Sequence, residues 1–509
     1  MERRRARRRE RQADQAAPLA GKPFRHLKNP LAPVEVLSPE QLDRIHNASM
    51  TILEEMGIDF LDGEALELWQ AAGARVDQKS QHVWPDRELV LELVARAPAE
   101  FSLRARNPDH CLHIGANNIN FATVGAAPYF SDLEHGRRPG TLANFRTMVK
   151  LAQLCGPIHM VEGLMVEPQD VPVALRHVEK GYALLTLSDK VMTTAAHGRE
   201  AATDYVNMAA IAFGGVDSIR RRPVFASNVN ANSPLRFDDR MLGGLITYAR
   251  HGQPVIVTPF ILAGAMSPIT MAAAIAQQNA EALAGVALTQ LVNPGVPVIY
   301  GGFTTNIDMQ TGSPAFGTPE GALALFSGAQ LARRYGLPYR GSGGLNNSKI
   351  ADAQAAYETQ MSLWPAVLAH ANVILHSAGW LEAGLVCSLE KFIIDVEGLA
   401  MMHRLLQGIE IDDETLALPS IAAVGPGGHH FGTPHTLARY RDAFYLPIVG
   451  DRQNYDNWAE NGALDTAQRA HRLAHELLQT YQPPPLDPAV DEELQEYVAR
   501  KKRDVKRET

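Results

Sequence analysis

Seven side chains stand where a small ligand could be held: Glu162, Asn228, Phe260, Phe303, Arg340, His376 and Trp380. Each lies at or just beyond the end of a short apolar segment. Aromatic residues make up only 7% of the chain, yet Phe260, Phe303 and Trp380 all fall at such ends, with Tyr129 and Phe130 just beyond the first. Aromatic faces attract quaternary ammonium groups, by about 0.5–2 kcal/mol each once water is excluded. Glu162 could add charge attraction for a cation, or could be a buried carboxylate paired with Arg340. Taken singly, each aromatic ring reads first as core or loop packing.

Two neighbouring loops are rich in glycine and small polar residues: Gly301-Gly302-Phe303-Thr304-Thr305-Asn306 and Gly341-Ser342-Gly343-Gly344-Leu345-Asn346-Asn347-Ser348-Lys349. Glycine lets backbone approach a ligand closely, or simply makes a tight turn. No Gly-x-x-x-x-Gly-Lys-Ser/Thr or Gly-x-Gly-x-x-Gly pattern occurs, so these loops do not read as a nucleotide site. Acids are few at the segment ends and the first segment lacks a His-x-His pair, so no metal site is expected. His429, His430 and His435 lie in a proline-glycine loop with no regular face to converge their rings.

The elements that must position these residues are eight short apolar segments recurring with helix-like sequence between them, near residues 118–124, 158–164, 190–196, 223–228, 254–260, 297–303, 338–343 and 373–378. That spacing predicts an α/β protein with a (β/α)8 TIM barrel, in which chemistry sits where strands run into the following loops. Alanine-rich stretches such as residues 271–292 and 319–335 supply the covering helices. We expect a basic flexible tail and linker over residues 1–33, an N-terminal helical cap with a hairpin over 34–117, and the barrel over 118–406. A C-terminal extension packed on the barrel should cover 407–482, and a tail 483–509. Ser38-Pro39-Glu40-Gln41 forms a capping box that opens the first cap helix, and Gly57 stops it.

The 509 residues carry 46% hydrophobic and 20% charged side chains with net charge −8, ordinary for a soluble enzyme. No apolar run is long enough to span a membrane, and the basic start is not followed by the apolar stretch of a secretory signal. A cytoplasmic protein is expected. Cys111, Cys155 and Cys387 stand far apart and read as buried hydrophobes. Arginines crowd the first dozen residues, but an acidic body without aromatic interleaving argues against nucleic acid as the partner.

Five motifs carry a resemblance: Tyr129-Phe130-Ser131-Asp132-Leu133-Glu134, Gly312-Ser313-Pro314-Ala315-Phe316-Gly317-Thr318-Pro319-Glu320, Ser348-Lys349-Ile350-Ala351-Asp352-Ala353-Gln354-Ala355-Ala356-Tyr357-Glu358, Gly379-Trp380-Leu381-Glu382-Ala383-Gly384-Leu385 and Gly425-Pro426-Gly427-Gly428-His429. Over residues 37–478 the chain resembles the trimethylamine:corrinoid methyltransferase family. The resemblance implies a barrel that docks a separate corrinoid protein over its mouth and passes a methyl group from a methylated amine to Co(I). No corrinoid would be tightly bound by this chain itself. Family members that use pyrrolysine place it near the loop holding Gly344, Asn346, Ser348 and Lys349; this chain has no such residue. It is therefore similar to the non-pyrrolysine, glycine betaine methyltransferase-like branch, which is associated with quaternary amines.

A quaternary ammonium leaves as a neutral tertiary amine, so methyl transfer needs no general acid and the enzyme must chiefly position and desolvate. On this reading the aromatic faces hold the cation, while a remote carboxylate on the substrate meets Arg340, His376 or the amide of Asn228. Catalytic residues are not assigned. Trimethylamine or another methylated amine or sulfonium is the alternative donor, and a non-catalytic methylated-amine binding protein the alternative of another class. Association with further copies of the chain stays open.

Overall fold

In the computed structural model, which describes residues 22–508, the eight apolar segments are eight strands: β1 Asn118–Phe121, β2 Met160–Val161, β3 Val191–Ala195, β4 Phe225–Ala231, β5 Val255–Ala263, β6 Val298–Gly301, β7 Tyr339–Ser342 and β8 Val373–Leu375. From β2 to β8 each pairs in parallel with the next, and β8 returns in parallel to β1. The seam between β1 and β2 is a parallel bridge of Ala122 with Met160. There His159 N–H donates to Phe121 O at 2.8 Å and Thr123 N–H to Met160 O at 3.3 Å, which closes the ring.

Eight helices follow the strands: α1 Leu142–Leu154, α2 Val173–Leu187, α3 Arg199–Phe213, α4 Asp239–Arg250, α5 Met271–Val292, α6 Pro319–Arg334, α7 Ala353–Leu368 and α8 Leu389–Leu406. Between β8 and α8, Trp380–Leu381 and Val386–Ser388 form a hairpin joined to a second hairpin, Tyr129–Asp132 and Gly136–Pro139. Ser388 then caps α8 by accepting from Lys391 N–H.

The lower half of the barrel is filled. Ala122, Met160, Val191, Ala226, Ile256, Ile299 and Val373, from seven different strand paths, form one buried cluster with Leu103, Leu112 and Ile114. The last three belong to the hairpin Glu100–Leu103 and Leu112–Gly115. Arg104 N–H donates to Pro223 O, just before β4, so this hairpin plugs the end where the strands begin. Side chains alternate across a strand. Met160 inward therefore sets Glu162 inward, Ala226 sets Asn228, Ile256 sets Phe260, and Ile299 sets Phe303.

Residues 34–117 hold helices Pro39–Thr51, Gly63–Ala71 and Arg87–Val94, the first opened by the Ser38 capping box. They also hold strands Ile58–Phe60, Arg75–Asp77 and His82–Trp84, which join Arg236–Phe237 in a sheet that periodicity did not reveal. These elements lie on α5, where Ser49 donates to Ala276 O at 2.8 Å. Covered on both sides, α5 is buried from Ala274 through Gln290.

Both ends differ from the expected tails. Residues 1–21 of the basic tail lie outside the described residues. From Lys22 onward the linker is ordered against the barrel floor: Leu27–Lys28 pairs antiparallel with β1, and buried Asn29 donates to Val367 O at 2.7 Å. At the other end Pro488–Glu508 is a helix across α2 and α3, with Leu494, Tyr497 and Val498 buried. Tyr497 Oη donates to Asp204 at 2.5 Å. Spacing of i, i+3, i+4 gives that helix an apolar stripe, although the proline run at 483–485 and its basic end read as a tail. Of the extension, Thr466–Thr480 packs on α8 and α1, whereas residues 407–447 contain no buried residue.

Candidate active site at the barrel mouth

Above the filled floor, strand ends bring together five of the seven predicted mouth residues, Phe260, Phe303, Arg340, His376 and Trp380, through the contacts that follow, and set the other two, Glu162 and Asn228, inward just beyond β2 and on β4. Phe260 and Phe303 are register partners where β5 continues alongside Phe303–Ile307, and their ring centroids are 5.2 Å apart. Phe303 lies 5.5 Å from His376 and 6.3 Å from Trp380; His376 and Trp380 lie 4.7 Å apart. Phe316 completes the group at 5.4 Å from Phe303 and 5.5 Å from Trp380. Sequence reading missed Phe316 as a mouth residue. Its signal was present in the Gly312–Glu320 motif, but not in any periodicity.

Arg340, only 1% exposed, lies over the Phe303 ring with its guanidinium carbon 5.1 Å from the centroid. It donates to Gly302 O at 3.2 Å and approaches Nε2 of His376 at 3.1 Å. Gly125 N–H approaches the other ring nitrogen, Nδ1, at 3.2 Å. A neutral imidazole accepts at one nitrogen only, so these two approaches compete. Burial, with the guanidinium alongside, holds His376 well below the usual histidine range and keeps it neutral. Burial likewise brings Arg340 down to about 10.

His376 has a left-handed backbone, φ 58°, a conformation that costs a non-glycine residue on the order of 1 kcal/mol or more. Its N–H donates to Thr123 O at 3.1 Å, and its carbonyl accepts from Gly344 N–H at 2.7 Å. A Cβ on Gly344 would stand 2.7 Å from that carbonyl, so this loop glycine is needed for close approach.

Glu162 is 1% exposed. Burial pushes its carboxyl up to about 7 against the pull of the Thr193 hydroxyl, Arg340 and Lys180. Instead of pairing directly with Arg340, it keeps Oε2 buried without a hydrogen-bond partner, as Arg340 keeps Nε and half-buried Asn228 keeps Oδ1. Buried polar atoms are rarely left so. A cluster of them at strand ends, beside aromatic faces, is an arrangement able to receive a small polar, charged ligand. Gly125 fits the crowding here: a Cβ there would lie 2.8 Å from Glu162 Cγ and 3.4 Å from His376 Cε1.

The loop after β7 divides. Asn346, fully buried, donates through its amide to Trp380 O at 2.6 Å and Gly344 O at 3.2 Å, while its own carbonyl accepts from the Trp380 indole N–H at 3.0 Å. Ser348 and Lys349 do not reach the mouth. Ser348 Oγ donates to Asp352 at 2.7 Å next to the start of α7, and Lys349 is exposed with Nζ on Asn347 O at 2.8 Å. Behind Phe303 a cavity of about 30 Å³, lined by Gln278, Gly302, Phe316, Tyr339 and Ser342 among others, has room for a water and none for an amine donor.

Away from the mouth, Glu134, His471 and His475 bring ligand atoms within 4.8 Å of one another, a cluster the sequence reading did not anticipate. His471 donates through Nδ1 to Glu390 at 2.7 Å. Burial alone would lower its pKa, but Glu390 and Glu134 outweigh that and raise it. His429, His430 and His435 lie on an arm that leaves the barrel after α8. No helix among the described residues is long and apolar enough to cross a membrane.

The chain is 43% identical over 470 residues to a glycine betaine methyltransferase of Desulfitobacterium hafniense strain Y51, covering 92% of this chain and 98% of that one. It is 32% identical over 456 residues to the trimethylamine methyltransferase MttB of Desulfitobacterium hafniense strain DSM 10664 / DCB-2, covering 88% and 90%. Among solved structures, the monomethylamine methyltransferase MtmB of Methanosarcina barkeri aligns over 88% of this chain and 95% of that one, at 10% identity and TM-score 0.48. The family described as trimethylamine methyltransferase (MTTB) matches residues 2–506. With that match and a relative of such identity and coverage, the chain belongs to the trimethylamine methyltransferase (MTTB) family.

Proposed function

We propose that this protein is a methyltransferase that moves a methyl group from a quaternary amine of the glycine betaine type to Co(I) of a corrinoid carried by a partner protein. The observation that carries the reading is the mouth itself: aromatic rings of Phe260, Phe303, Phe316 and Trp380 beside a buried guanidinium and orphaned polar atoms. The 43% identity to a glycine betaine methyltransferase supports the donor class.

A zwitterionic donor suits this set of groups. Its carboxylate meets Arg340, whose Nε is free to donate, while its onium head rests on the rings with one methyl directed outward. The corrinoid, when its carrier docks over the mouth, supplies the nucleophile. The chain's own side chains hold, orient and dry the donor, and none has to deliver a proton, because the departing tertiary amine is neutral.

Charge on nitrogen falls as the methyl leaves, so a strong anionic grip would favour the ground state over the transition state. Diffuse π faces avoid that penalty, and Glu162, with its carboxyl pushed up to about 7 by burial, is only partly ionised at neutral pH. Mixing the purified protein with a Co(I) corrinoid carrier and a panel of donors tests the reading through the absorbance of methyl-Co(III). Glycine betaine or a close quaternary analogue should methylate cobalt and trimethylamine should not. Methylation by trimethylamine alone, or by no donor, would defeat the proposal.

A further inference from the structure

Two histidines one turn apart on the helix Thr466–Thr480, His471 and His475, meet an acid from a distant part of the chain. Positions i and i+4 share a helix face, and the two ring centroids lie 4.5 Å apart. The acid is Glu134, in the turn between Tyr129–Asp132 and Gly136–Pro139. Each of the three offers a ligand atom within 4.8 Å of the other two, with Glu134 and His475 exposed and His471 half-buried.

The spacing suits a shared ion better than a direct pair. Nε2 of His471 and a carboxylate oxygen of Glu134 are 3.4 Å apart, whereas a charged hydrogen bond is ordinarily about 2.7–2.9 Å. Two bonds of about 2.0–2.1 Å meeting at a tetrahedral zinc hold their donor atoms about 3.3 Å apart. A direct pair also gives no task to His475, whose ring forms no hydrogen bond among the described residues.

The first histidine is already oriented. Its Nδ1 donates to Glu390 at 2.7 Å, which leaves Nε2 for an ion. Glu390, buried at the start of α8, also accepts from Leu133 N–H at 3.0 Å, so one carboxylate holds both the helix and the turn that bears Glu134. Ligating histidines characteristically pass their second N–H to such a carboxylate. With both rings neutral, Glu134 and Glu390 carry two negative charges that a divalent ion balances. Two imidazole nitrogens and a carboxylate oxygen make a zinc donor set, whereas calcium and magnesium take shells of six or more oxygens.

The position gives the ion a structural task. In the hairpin that bears Glu134, Phe130 is the register partner of Cys387, and Cys387 of Trp380. An ion at Glu134 therefore holds the strands behind the aromatic wall to the helix Thr466–Thr480.

We propose that His471, His475 and Glu134 bind one Zn(II) ion per chain, with Glu390 orienting His471, and that the ion staples the hairpin at the barrel rim to the helix Thr466–Thr480. The full chain, stripped of metal by a chelator and desalted, is titrated with zinc chloride by calorimetry and with cobalt(II) chloride by visible absorbance. One ion should bind per chain, and cobalt should develop the intense bands of a four-coordinate site. Saturating zinc should raise the melting temperature by about 2–4 °C.

His475→Ala and Glu134→Gln alter exposed side chains and spare the bond between His471 and Glu390. Each should lower zinc affinity at least about 100-fold and abolish the rise in melting temperature, while the metal-free chain melts as wild type does. Glu390→Gln should lower the affinity by about 10–100-fold. His429→Ala with His430→Ala, on the arm, should change neither readout. A wild-type chain that leaves cobalt with the weak bands of its aquo ion would overturn the proposal. So would zinc binding that survives His475→Ala, or that disappears with the arm histidines instead.

Discussion

Asn346 and Trp380 hold each other twice: the indole N–H donates to the Asn346 carbonyl at 3.0 Å, and the Asn346 side-chain amide donates to the Trp380 carbonyl at 2.6 Å. A buried amide in the loop after β7 thus fixes an aromatic wall of the mouth. Asn346→Ala removes one of the two bonds and leaves Trp380 O without that donor. Loss of a buried hydrogen bond of this kind costs about 1–3 kcal/mol. We expect melting to fall by a few degrees and the donor KM to rise by about tenfold with kcat less affected, measured by calorimetry and steady-state kinetics. An unchanged KM would mean that the pin serves folding alone.

Phe303 touches Phe260, Phe316, His376, Trp380 and Arg340. Phe303→Leu keeps most of the volume and removes the π face. Donor affinity should fall by about 5–30-fold, the equivalent of roughly 1–2 kcal/mol, while the melting temperature moves little. Equal losses of binding and stability would assign the ring to packing.

Glu162 gives the pH dependence. Burial raises its folded-state pKa to about 7 from 4.5, so the folded protein holds this proton more tightly than the unfolded chain does. Between those values stability falls as pH rises, by an amount on the order of 3 kcal/mol, and levels off above about 7. A cationic donor prefers the carboxylate, so its affinity should improve as pH climbs through 7. Glu162→Gln should flatten both profiles and be more stable than wild type at pH 8, read by titration calorimetry and thermal melts. Affinity that keeps its pH slope in the variant would remove Glu162 from donor recognition.

Gly125→Ala tests the crowding beside that carboxylate. The backbone at Gly125 tolerates a side chain, but the new methyl would lie 2.8 Å from Glu162 Cγ. We expect methyl transfer to fall about tenfold and stability by about 1–3 kcal/mol. Full activity would show that the carboxylate can move without consequence.

The barrel was legible because most of its strands are short and largely buried with apolar residues: β3 is buried throughout Val191–Ala195 and β6 throughout Val298–Gly301. Its last residues were therefore findable from the sequence. Phe316 was not, since a two-strand excursion, Phe303–Ile307 with Pro314–Ala315, returns it to the mouth. Asn346 was found as a loop residue near the site, but its task of holding Trp380 depends on a partner 34 positions away. Ser348 and Lys349 shared its composition and not its direction, because Ser348 turns to Asp352 at the start of α7. The helix Pro488–Glu508 was hidden by its own polarity: its exposed face is charged, and its apolar stripe needs α2 and α3 to have meaning.

Methyl transfer from a quaternary amine requires a mouth that recognises a permanently cationic donor. Isothermal titration of the wild-type protein with glycine betaine and with 3,3-dimethylbutanoate, its isostere with carbon in place of the charged nitrogen, measures that recognition alone. Glycine betaine should bind at least about tenfold more tightly, the worth of roughly 1.4 kcal/mol from the aromatic faces. Equal affinity for the neutral-headed isostere would contradict the account.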